Sequence, residues 1–407
     1  MKTETHRCVQ YLTKPNSLDI IMKLALVGVG QAGGKVVDAL VRYEAETGGG
    51  FVASAIAVNT ARADLLGLER IPAKRRVLIG GSRVKGHGVG ADNELGAEVM
   101  AEDVDEVLAA LDEVPSHRID AFLVVAGLGG GTGSGGAPVL ARALKRLYTE
   151  PVYGLGLLPG RDEGGIYTFN AARSFQTFVR EVDNLIVFDN DAWRRSGESV
   201  KTGYAELNTE LARRLGVLFS AGEVTAGQVA ESVVDSSEVI NTLASGGVST
   251  IGYAAAPVER PKGGLLSRFT RSETPADDGE SMNRVTSLIR RATLGRLTLP
   301  CEVQGAERAL VVVSGPPAAL SRRGIERGRK WLEEETGTME IRGGDYPLDS
   351  EYVAAVVLLS GVTSVPRIKE LQAVAVEAQH DFTERDAASP DRLADLLDTG
   401  DRLETLF

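Results

Sequence analysis

The sequence predicts an α/β fold: a larger domain with a parallel sheet, a central helix, and a smaller C-terminal α/β domain. Three observations lead to this prediction. The chain has 407 residues, which is more than one compact core usually holds. Short runs of residues are apolar throughout and bounded by glycine, as buried strands are. Amphipathic segments separate these runs, and strands buried on both faces with helices between them form covered parallel sheets.

The larger domain is expected over residues 22–202. Its five predicted strands are KLALVGVG (23–30), FVASAIAVN (51–59), AFLVVAGLG (121–129), PVYGLGLLP (151–159) and NLIVFDN (184–190). Helical patterns between them cover residues 35–46, 138–148 and 168–182. The central helix is expected over 203–228, because Leu207, Leu211 and Leu215 recur at every fourth position.

The smaller domain is expected over residues 229–380. Its predicted elements are a helix (237–246), a strand (248–256), a helix (282–295), a strand (308–315), a helix (322–335) and two strands (338–347 and 352–361). A loop over 258–281 is rich in Pro, Gly, Ser and charged residues. Loops longer than about 12–15 residues are usually functional or disordered, so both interpretations stay open for this one.

The two ends of the chain lack the patterns of the domains. Residues 1–21 show no packing pattern, and Met22 starts the first convincing strand. We therefore expect a non-native or disordered N-terminal extension, with an ordered arm as the alternative. Residues 381–407 are polar and acidic, which predicts a flexible tail whose end could dock on a partner or on the body of the protein.

The composition narrows the function class. No apolar run reaches the roughly 18 residues of a membrane span, and the first residues lack a secretory signal. The net charge of -11 argues against a nucleic-acid-binding surface, which needs clustered cations. Cys8 and Cys301 are the only cysteines, so the sequence has no disulfide framework or zinc spacing, which fits a reducing cytoplasm.

A first glycine motif follows the first predicted strand. Gly28, Gly30 and Gly33 form G-x-G-x-x-G between a strand and a helix, where backbone N–H groups can face a phosphate. This motif is typical of nicotinamide-dependent dehydrogenases, which place an acidic residue at the end of the second strand for the ribose. Here the second strand ends in Asn59 and Thr60, which weakens the dehydrogenase interpretation.

A second glycine motif is more specific. Residues 129–135 read GGGTGSG between a buried strand and a helix expected from Pro138. Five glycines leave little side chain to obstruct an anion, and Thr132 and Ser134 would add hydroxyl donors. The motif is not a Walker A loop, because its Gly-Lys-Ser/Thr ending is absent. A flexible linker is the alternative, although linkers do not normally join a buried strand to a helix.

A third glycine-rich loop, GHGVGADNE, covers residues 86–94. On its own it is compatible with a surface turn. Three such loops along one sheet suggest instead a single nucleotide held at the carboxyl ends of the strands, where open α/β sheets bind ligands.

These motifs together resemble the tubulin/FtsZ superfamily. GVGQAGG, GHGVGADNELG and GLGGGTGSGGAP resemble its ordered phosphate loops, and the similarity extends from about residue 23 to 380. Within the superfamily, VKGHGVGADNELGAE and GIYTFNAARSFQTFVREVDNLIVFDNDAW look like the archaeal CetZ group. The resemblance implies a tubulin/FtsZ-like fold, binding of GTP or GDP with Mg²⁺, and self-assembly.

The resemblance also implies a role for individual residues. The nucleotide-binding residues of the loops would be Gly30, Gln31, Ala32, Gly33, Asn59, Gly90, Ala91, Asp92, Gly130, Gly131, Thr132, Gly133, Ser134 and Gly135. Asp92 would face the terminal phosphate or its Mg²⁺. Glu163 would reach the ribose, Asn190 and Asn208 would bind guanine, and Tyr204 would stack on the base. Without the family, Tyr204 and Asn208 are ordinary surface residues one helical turn apart.

Asp235 and Glu238 are the candidate catalytic pair. From spacing alone they form a capping box at a helix start, which is a structural feature. The resemblance places them instead in the loop that enters the nucleotide pocket of the next subunit, with Glu238 activating water and Asp235 in support. Val233 stands where FtsZ proteins have an asparagine, so one polar group of that pattern is missing.

The resemblance implies a cytoplasmic GTPase whose head-to-tail filaments control cell shape in an archaeon. Hydrolysis would require stacking, because each subunit carries half of two different sites. The loop over 258–281 would make lateral filament contacts, with a disordered spacer as the alternative. Two other functions stay open: a GTP-binding scaffold without turnover, and the dehydrogenase.

Overall fold

The apolar runs form one mixed sheet in the computed structural model, which describes residues 21–112, 116–194, 200–221, 234–258 and 275–377. Its strands within those ranges are β1 Leu24–Val29, β2 Val52–Asn59, β3 Arg76–Leu78, β4 Ala121–Gly127, β5 Val152–Leu158, β6 Asn184–Asp189, β7 Val248–Pro257, β8 Arg308–Gly315, β9 Ile341–Pro347 and β10 Tyr352–Ser360. The five strands predicted for the larger domain are all present.

Helices cover both faces of this sheet. They are α1 Gly30–Thr47, α2 Arg62–Leu66, α3 Asn93–Glu102, α4 Val104–Leu111, α5 Thr132–Leu147, α6 Gly165–Glu181, α7 Asn190–Trp193, α8 Val200–Ser220, α9 Ser236–Leu243, α10 Pro275–Leu294, α11 Arg322–Thr336 and α12 over 366–377. Among the described residues, none of these helices combines the length and the apolar composition that a bilayer span requires.

The directions of the strands distinguish two opposite sides of the sheet. The order is β3-β2-β1-β4-β5-β6-β7-β10-β8-β9. Neighbouring strands are parallel from β3 to β7 and from β8 to β9, whereas β10 is antiparallel to both β7 and β8. All strands except β10 therefore point the same way. We call the edge where they end the carboxyl edge, and the edge where they begin the amino edge.

The sheet is narrowest where its two parts join. Strands β6 and β7 pair through only two residue pairs, Leu185 with Val248 and Ile186 with Ser249. A buried polar group fills this point: the Asn184 amide donates to Ser360 Oγ at 2.9 Å, and Ser249 Oγ donates to Asn184 Oδ1 at 2.6 Å. A continuous sheet thus connects the two predicted domains, in addition to the central helix.

Side chains of the parallel strands alternate between two apolar cores. In β1, Val27 and Val29 enter the core on one face, whereas Leu24 and Leu26 enter the core on the other. This alternation is the period of two that a strand buried on both faces produces. In the central helix α8, the predicted leucine repeat is buried against the second core.

Several helices begin earlier than the sequence predicts. Helices α1 and α5 begin inside the glycine motifs, at Gly30 and Thr132. Pro138 therefore lies within α5, where it lacks the N–H that would bond to the carbonyl oxygen of Ser134. Ser174 Oγ donates to that carbonyl oxygen at 2.7 Å, which replaces the missing donor.

The predicted loop over 258–281 is wrong in its last part, because α10 begins at Pro275. Proline is favoured in the first turn of a helix, since its φ is already helical and no N–H is needed there. Residues 259–274 of this loop lie outside the described residues. The predicted extension up to residue 20, residues 222–228 of the central helix and the acidic tail also lie outside them.

Candidate functional site

The first and second glycine motifs touch each other at the carboxyl edge. They follow the neighbouring strands β1 and β4. Gly30 has a φ of +74°, and a Cβ atom on it would lie 2.9 Å from the backbone nitrogen of Gly133. A Cβ atom on Gly33 would lie 2.1 Å from the carbonyl oxygen of Val125. A Cβ atom therefore fits at neither position, and the first motif packs closely against β4 and the second motif.

Side chains link the first motif to the second strand. The Gln31 amide donates to Asp64 Oδ1 at 2.9 Å, and the Asn59 amide donates to Asp64 Oδ2 at 3.0 Å. Asn59 is buried, whereas Gln31 is exposed. Sequence reasoning missed Asp64, because the five-residue helix α2 that carries it has too few residues to show a period.

The third glycine loop leaves β3 and packs on the second motif. Its Ala91 has a φ of +66°, which is uncommon for a residue with a side chain. The buried Asn170 amide donates to the Ala91 carbonyl oxygen at 2.7 Å and to that of Gly129 at 3.1 Å. Asn170, on α6, therefore holds the two loops together. It was also missed, since nothing in its local sequence indicates this contact.

The hydroxyl groups of the second motif bond within the protein. Thr132 Oγ1 lies 2.6 Å from Thr60 Oγ1, and Ser134 Oγ donates to the Gly130 carbonyl oxygen. The Ser134 hydroxyl is thus already engaged as a donor, whereas either hydroxyl of the Thr60–Thr132 pair can be the donor. The first N–H groups of α5 have no partner inside the helix, because the residues four before them precede it. These backbone groups are the donors available to an anion.

Asp92 is the exposed residue directly before helix α3 and caps its start. Its Oδ1 accepts a hydrogen bond from the Leu95 backbone N–H at 2.9 Å. Among the described residues, no group of three or more His, Cys, Asp or Glu side chains could hold a metal ion. A single carboxylate at a phosphate site still fits Mg²⁺, which usually takes one or two protein carboxylates and completes its shell with phosphates and water.

The residues predicted to contact the ribose and the base lie in three places: after β5, after β6 and on α8. Glu163 Oε1 accepts hydrogen bonds from the Gly160 backbone N–H at 2.7 Å and from the Tyr204 hydroxyl. Burial, and then this bond to Glu163, raise the pKa of Tyr204. Asn190 begins α7 at the end of β6, and Asn208 lies one turn after Tyr204 on α8. Both asparagines are half-buried.

Asp235 and Glu238 occupy different environments at the start of α9. Asp235 Oδ1 caps the helix by accepting a hydrogen bond from the Glu238 backbone N–H at 3.0 Å. The Oε2 atom of Glu238 is buried and has no hydrogen-bond partner among the described residues. Burial, and then the charge of Asp235, raise the pKa of Glu238, against the opposing charges of Arg342 and Arg329. Asp235 therefore caps α9, while the Oε2 atom of Glu238 is left without a hydrogen bond in the part of the chain that the structure describes.

Helix α9 lies at the amino edge of the sheet. Asn184, at the start of β6, donates to the carbonyl oxygen of Leu243, the last residue of α9. Arg308, at the start of β8, donates to the carbonyl oxygen of Asn241. Arg342, whose charge acts on Glu238, is the second residue of β9. The glycine loops lie at the opposite, carboxyl edge, so one molecule does not bring Glu238 to them.

Two family models match the chain in succession. The model described as Tubulin/FtsZ family, GTPase domain, matches residues 23–198. The model described as Tubulin-like CetZ, C-terminal domain, matches residues 197–377. The two matches together include all three glycine motifs and both candidate carboxylates.

Individual relatives agree with the family models. The tubulin-like protein CetZ3 of Haloferax volcanii is 73% identical over 389 residues, covering 95% of this chain and 100% of that protein. The structure of a GDP-bound CetZ1 monomer from the same organism is 65% identical, with a TM-score of 0.79 over 88% of this chain and 100% of that one. A GTPγS-bound protofilament of its CetZ2 is 48% identical, with a TM-score of 0.79 over 89% and 100%.

Proposed function

Because the chain belongs to the CetZ group of the tubulin/FtsZ family, we propose that it binds GTP and GDP at the carboxyl edge of its sheet. Copies of the chain stack head to tail, and GTP is hydrolysed at the contact between two copies. The GDP-bound CetZ1 and the GTPγS-bound CetZ2 protofilament support guanine nucleotides as the ligand and stacking as the mode of assembly.

One observation carries this proposal: the glycine loops and Glu238 lie at opposite edges of the same sheet. A contact that joins the carboxyl edge of one copy to the amino edge of the next brings the two groups together. Such a contact uses two different surfaces, so it does not close on itself and builds a filament. The active site is then completed by assembly, and a dilute monomer binds nucleotide without efficient turnover.

The binding roles divide along the carboxyl edge. Backbone N–H groups of the glycine motifs bind the phosphates, and Gln31 and Asn59 are held in place there by Asp64. Glu163 accepts a ribose hydroxyl, while Asn190 and Asn208 bind guanine beside Tyr204. Asp92 would hold Mg²⁺, which would offset the charge of the phosphates.

Glu238 of the neighbouring copy is the general base. Its carboxylate can accept the proton of the attacking water, and its raised pKa brings that group nearer to the pH at which it works. Asp235 holds the start of α9 and so orients Glu238. Lateral contacts through the loop that precedes α10 and a role in cell shape remain predictions from the family resemblance. A partner for the acidic tail and a cytoplasmic location remain predictions as well.

Mixing two inactive variants tests the shared site. Glu238→Gln keeps a normal nucleotide pocket and lacks the base, whereas Gly30→Ala has a damaged pocket and keeps the base. Each variant alone should release little phosphate from GTP. Their mixture should recover hydrolysis, because the Glu238→Gln pocket meets the intact Glu238 of its neighbour.

A mixture that is no more active than its two components would contradict a site built from two subunits. Circular dichroism of each variant confirms that it is folded before mixing. The non-hydrolysing scaffold makes a different prediction, since it requires filaments with GTP but no phosphate release by the unaltered protein.

A further inference from the structure

Helix α7 begins with the predicted guanine contact Asn190 and is only four residues long. Several contacts that hold it come from beyond the larger domain. The Asp189 backbone N–H donates to the carbonyl oxygen of Thr298 at 2.8 Å. The Trp193 indole N–H donates to the carbonyl oxygen of Leu297 at 3.0 Å. The segment between α10 and β8 therefore supports the base side of the pocket.

A buried arginine on α12 reaches the same place. Arg367 is 5% exposed, and its guanidinium donates to the carbonyl oxygen of Pro159 at 3.0 Å. Its Nε lies 3.6 Å from Oδ1 of Asp189, which is 3% exposed. That same oxygen caps α7 by accepting a hydrogen bond from the Asp191 backbone N–H at 3.1 Å. Arg367 thus holds the residue after β5 and the residue that caps the base-binding helix.

A second arginine, on the pocket side, reinforces this link. Arg161 donates to both carboxylate oxygens of Glu370 on α12, at 2.8 and 2.6 Å, and also pairs with Asp191. Arg367 donates to the same Glu370 at 3.0 Å. Arg161 lies two residues before Glu163, the predicted ribose contact. The two arginines therefore join α12 both to the segment after β5 that carries Glu163 and to α7.

The phosphate side of the pocket has different support. Its glycine loops contact one another and are held by Asn170 of α6 and by Asp64 of α2. These residues all belong to the larger predicted domain. The base and ribose side is thus the part of the pocket that depends on α12.

We propose that Arg367 is a positioning residue for the base and ribose side of the nucleotide pocket, so that α12 sets how tightly guanine nucleotide is held. The inference rests on the proposed function, since it assumes that GDP occupies the carboxyl edge. Removing the guanidinium leaves the buried Asp189 carboxylate unpaired, which loosens the cap of α7 and the end of β5.

The test compares GDP with inorganic pyrophosphate, which offers only phosphates. Affinities are measured by competition against a fluorescent GTP analogue, at protein concentrations below assembly. Arg367→Gln should weaken GDP binding about tenfold and leave pyrophosphate binding unchanged. Arg367→Lys should recover part of the GDP affinity because it keeps the charge. Arg142→Gln, which breaks an exposed pair with Glu181, is the matched control and should change neither.

Unchanged GDP affinity in Arg367→Gln would overturn the inference, as would an equal loss of GDP and pyrophosphate, which would mean general damage to the pocket. If Arg367→Gln does not fold, the exposed Arg161→Gln should still give a smaller loss that is selective for GDP, and no loss would overturn the inference. An unaltered protein that fails to bind GDP would overturn the proposed function and this inference with it.

Discussion

The two edges of the sheet present different groups at their candidate sites, backbone at one and side chains at the other. The phosphate side of the carboxyl edge is made mainly of backbone, with glycines at positions where a Cβ atom would meet a neighbouring loop or strand, as at Gly30 and Gly33. The part of the amino edge that carries Glu238 depends on charged side chains, since Arg342 and Arg329 act on its carboxyl group. A backbone surface is damaged by added atoms, whereas a side-chain surface is damaged by removed ones. The two edges should therefore respond to opposite kinds of mutation.

The largest expected effect is at the amino edge. Glu238→Gln removes a base but changes neither the shape of the side chain nor the far edge of the sheet. GTP hydrolysis should fall by about 10²–10⁴-fold, the usual contribution of general base catalysis. GDP affinity should stay the same, because the pocket lies at the other edge.

Glu340→Gln is the matched control for this variant. Glu340 is an exposed carboxylate next to β9 that pairs with Arg308 at 2.7 Å, and no catalytic role is assigned to it. It should keep nearly full hydrolysis, as measured by phosphate release. Normal turnover in Glu238→Gln, or an equal loss in both variants, would contradict the role of Glu238.

The next largest effect is expected from an added side chain at the carboxyl edge. Gly30→Ala adds one carbon at a φ of +74° and pushes it against Gly133. Gly48→Ala adds the same carbon at a φ of +72° with no atom within 4 Å. Each variant should lose about 1–2 kcal/mol of unfolding free energy from the left-handed conformation. Only Gly30→Ala should also lose nucleotide affinity, by at least about tenfold.

Thermal unfolding of both variants measures the loss of stability, and GDP titration measures the loss of nucleotide affinity. If Gly48→Ala lost GDP affinity as much as Gly30→Ala, the effect would come from general destabilisation and not from contact between the glycine loops. Equal, unchanged GDP affinity would show that the loops tolerate an added side chain.

The sequence was informative about one edge more than the other. Glycine runs after apolar strands are a local pattern, so the three loops of the carboxyl edge could be located from residues alone. The spacing of Asp235 and Glu238 is also local, but it is equally typical of a helix cap. The structure shows the cap for Asp235, whereas the Oε2 atom of Glu238 has no hydrogen-bond partner among the described residues. Only the family resemblance pointed to a catalytic role.

Contacts between distant segments could not be predicted. Asn170 meets Ala91 across 79 positions of the sequence, and Arg367 meets Pro159 across 208. No spacing rule applies over such distances. Helix α2 and strand β3 were missed because five and three residues are too few to show a period. The continuous sheet was missed because pairing of β6 with β7 leaves no local pattern.

Asn170 provides a test of a side-chain contact at the carboxyl edge. Asn170→Leu keeps the size of a buried side chain but removes the amide that bonds to two loop carbonyl oxygens. Leaving such groups unpaired costs about 1–3 kcal/mol of folding free energy. If about 1 kcal/mol of this cost falls on the loop geometry that binds the nucleotide, GDP affinity should fall about fivefold. Thr177→Val, an exposed change on the same helix, should leave it unchanged. An unaltered affinity in Asn170→Leu would mean that the third loop does not contribute to binding.

The smallest expected effect separates the two carboxylates of the amino edge. Asp235→Asn removes a charge but keeps a side-chain oxygen that caps α9, and asparagine caps helices about as well as aspartate. Burial is the main cause of the raised pKa of Glu238, and the charge of Asp235 is the next. Removing that charge should therefore lower the pKa of Glu238. Since a general base works only when deprotonated, the acid limb of the hydrolysis profile should move to lower pH.

The profile is measured at saturating GTP with assembled protein, so that the pKa refers to the complete site. If the acid limb stayed in place, either Asp235 would not act on Glu238 in the filament or Glu238 would not be the titrating base. The Glu238→Gln variant distinguishes these two cases, because its residual hydrolysis should lose the acid limb only if Glu238 is that base.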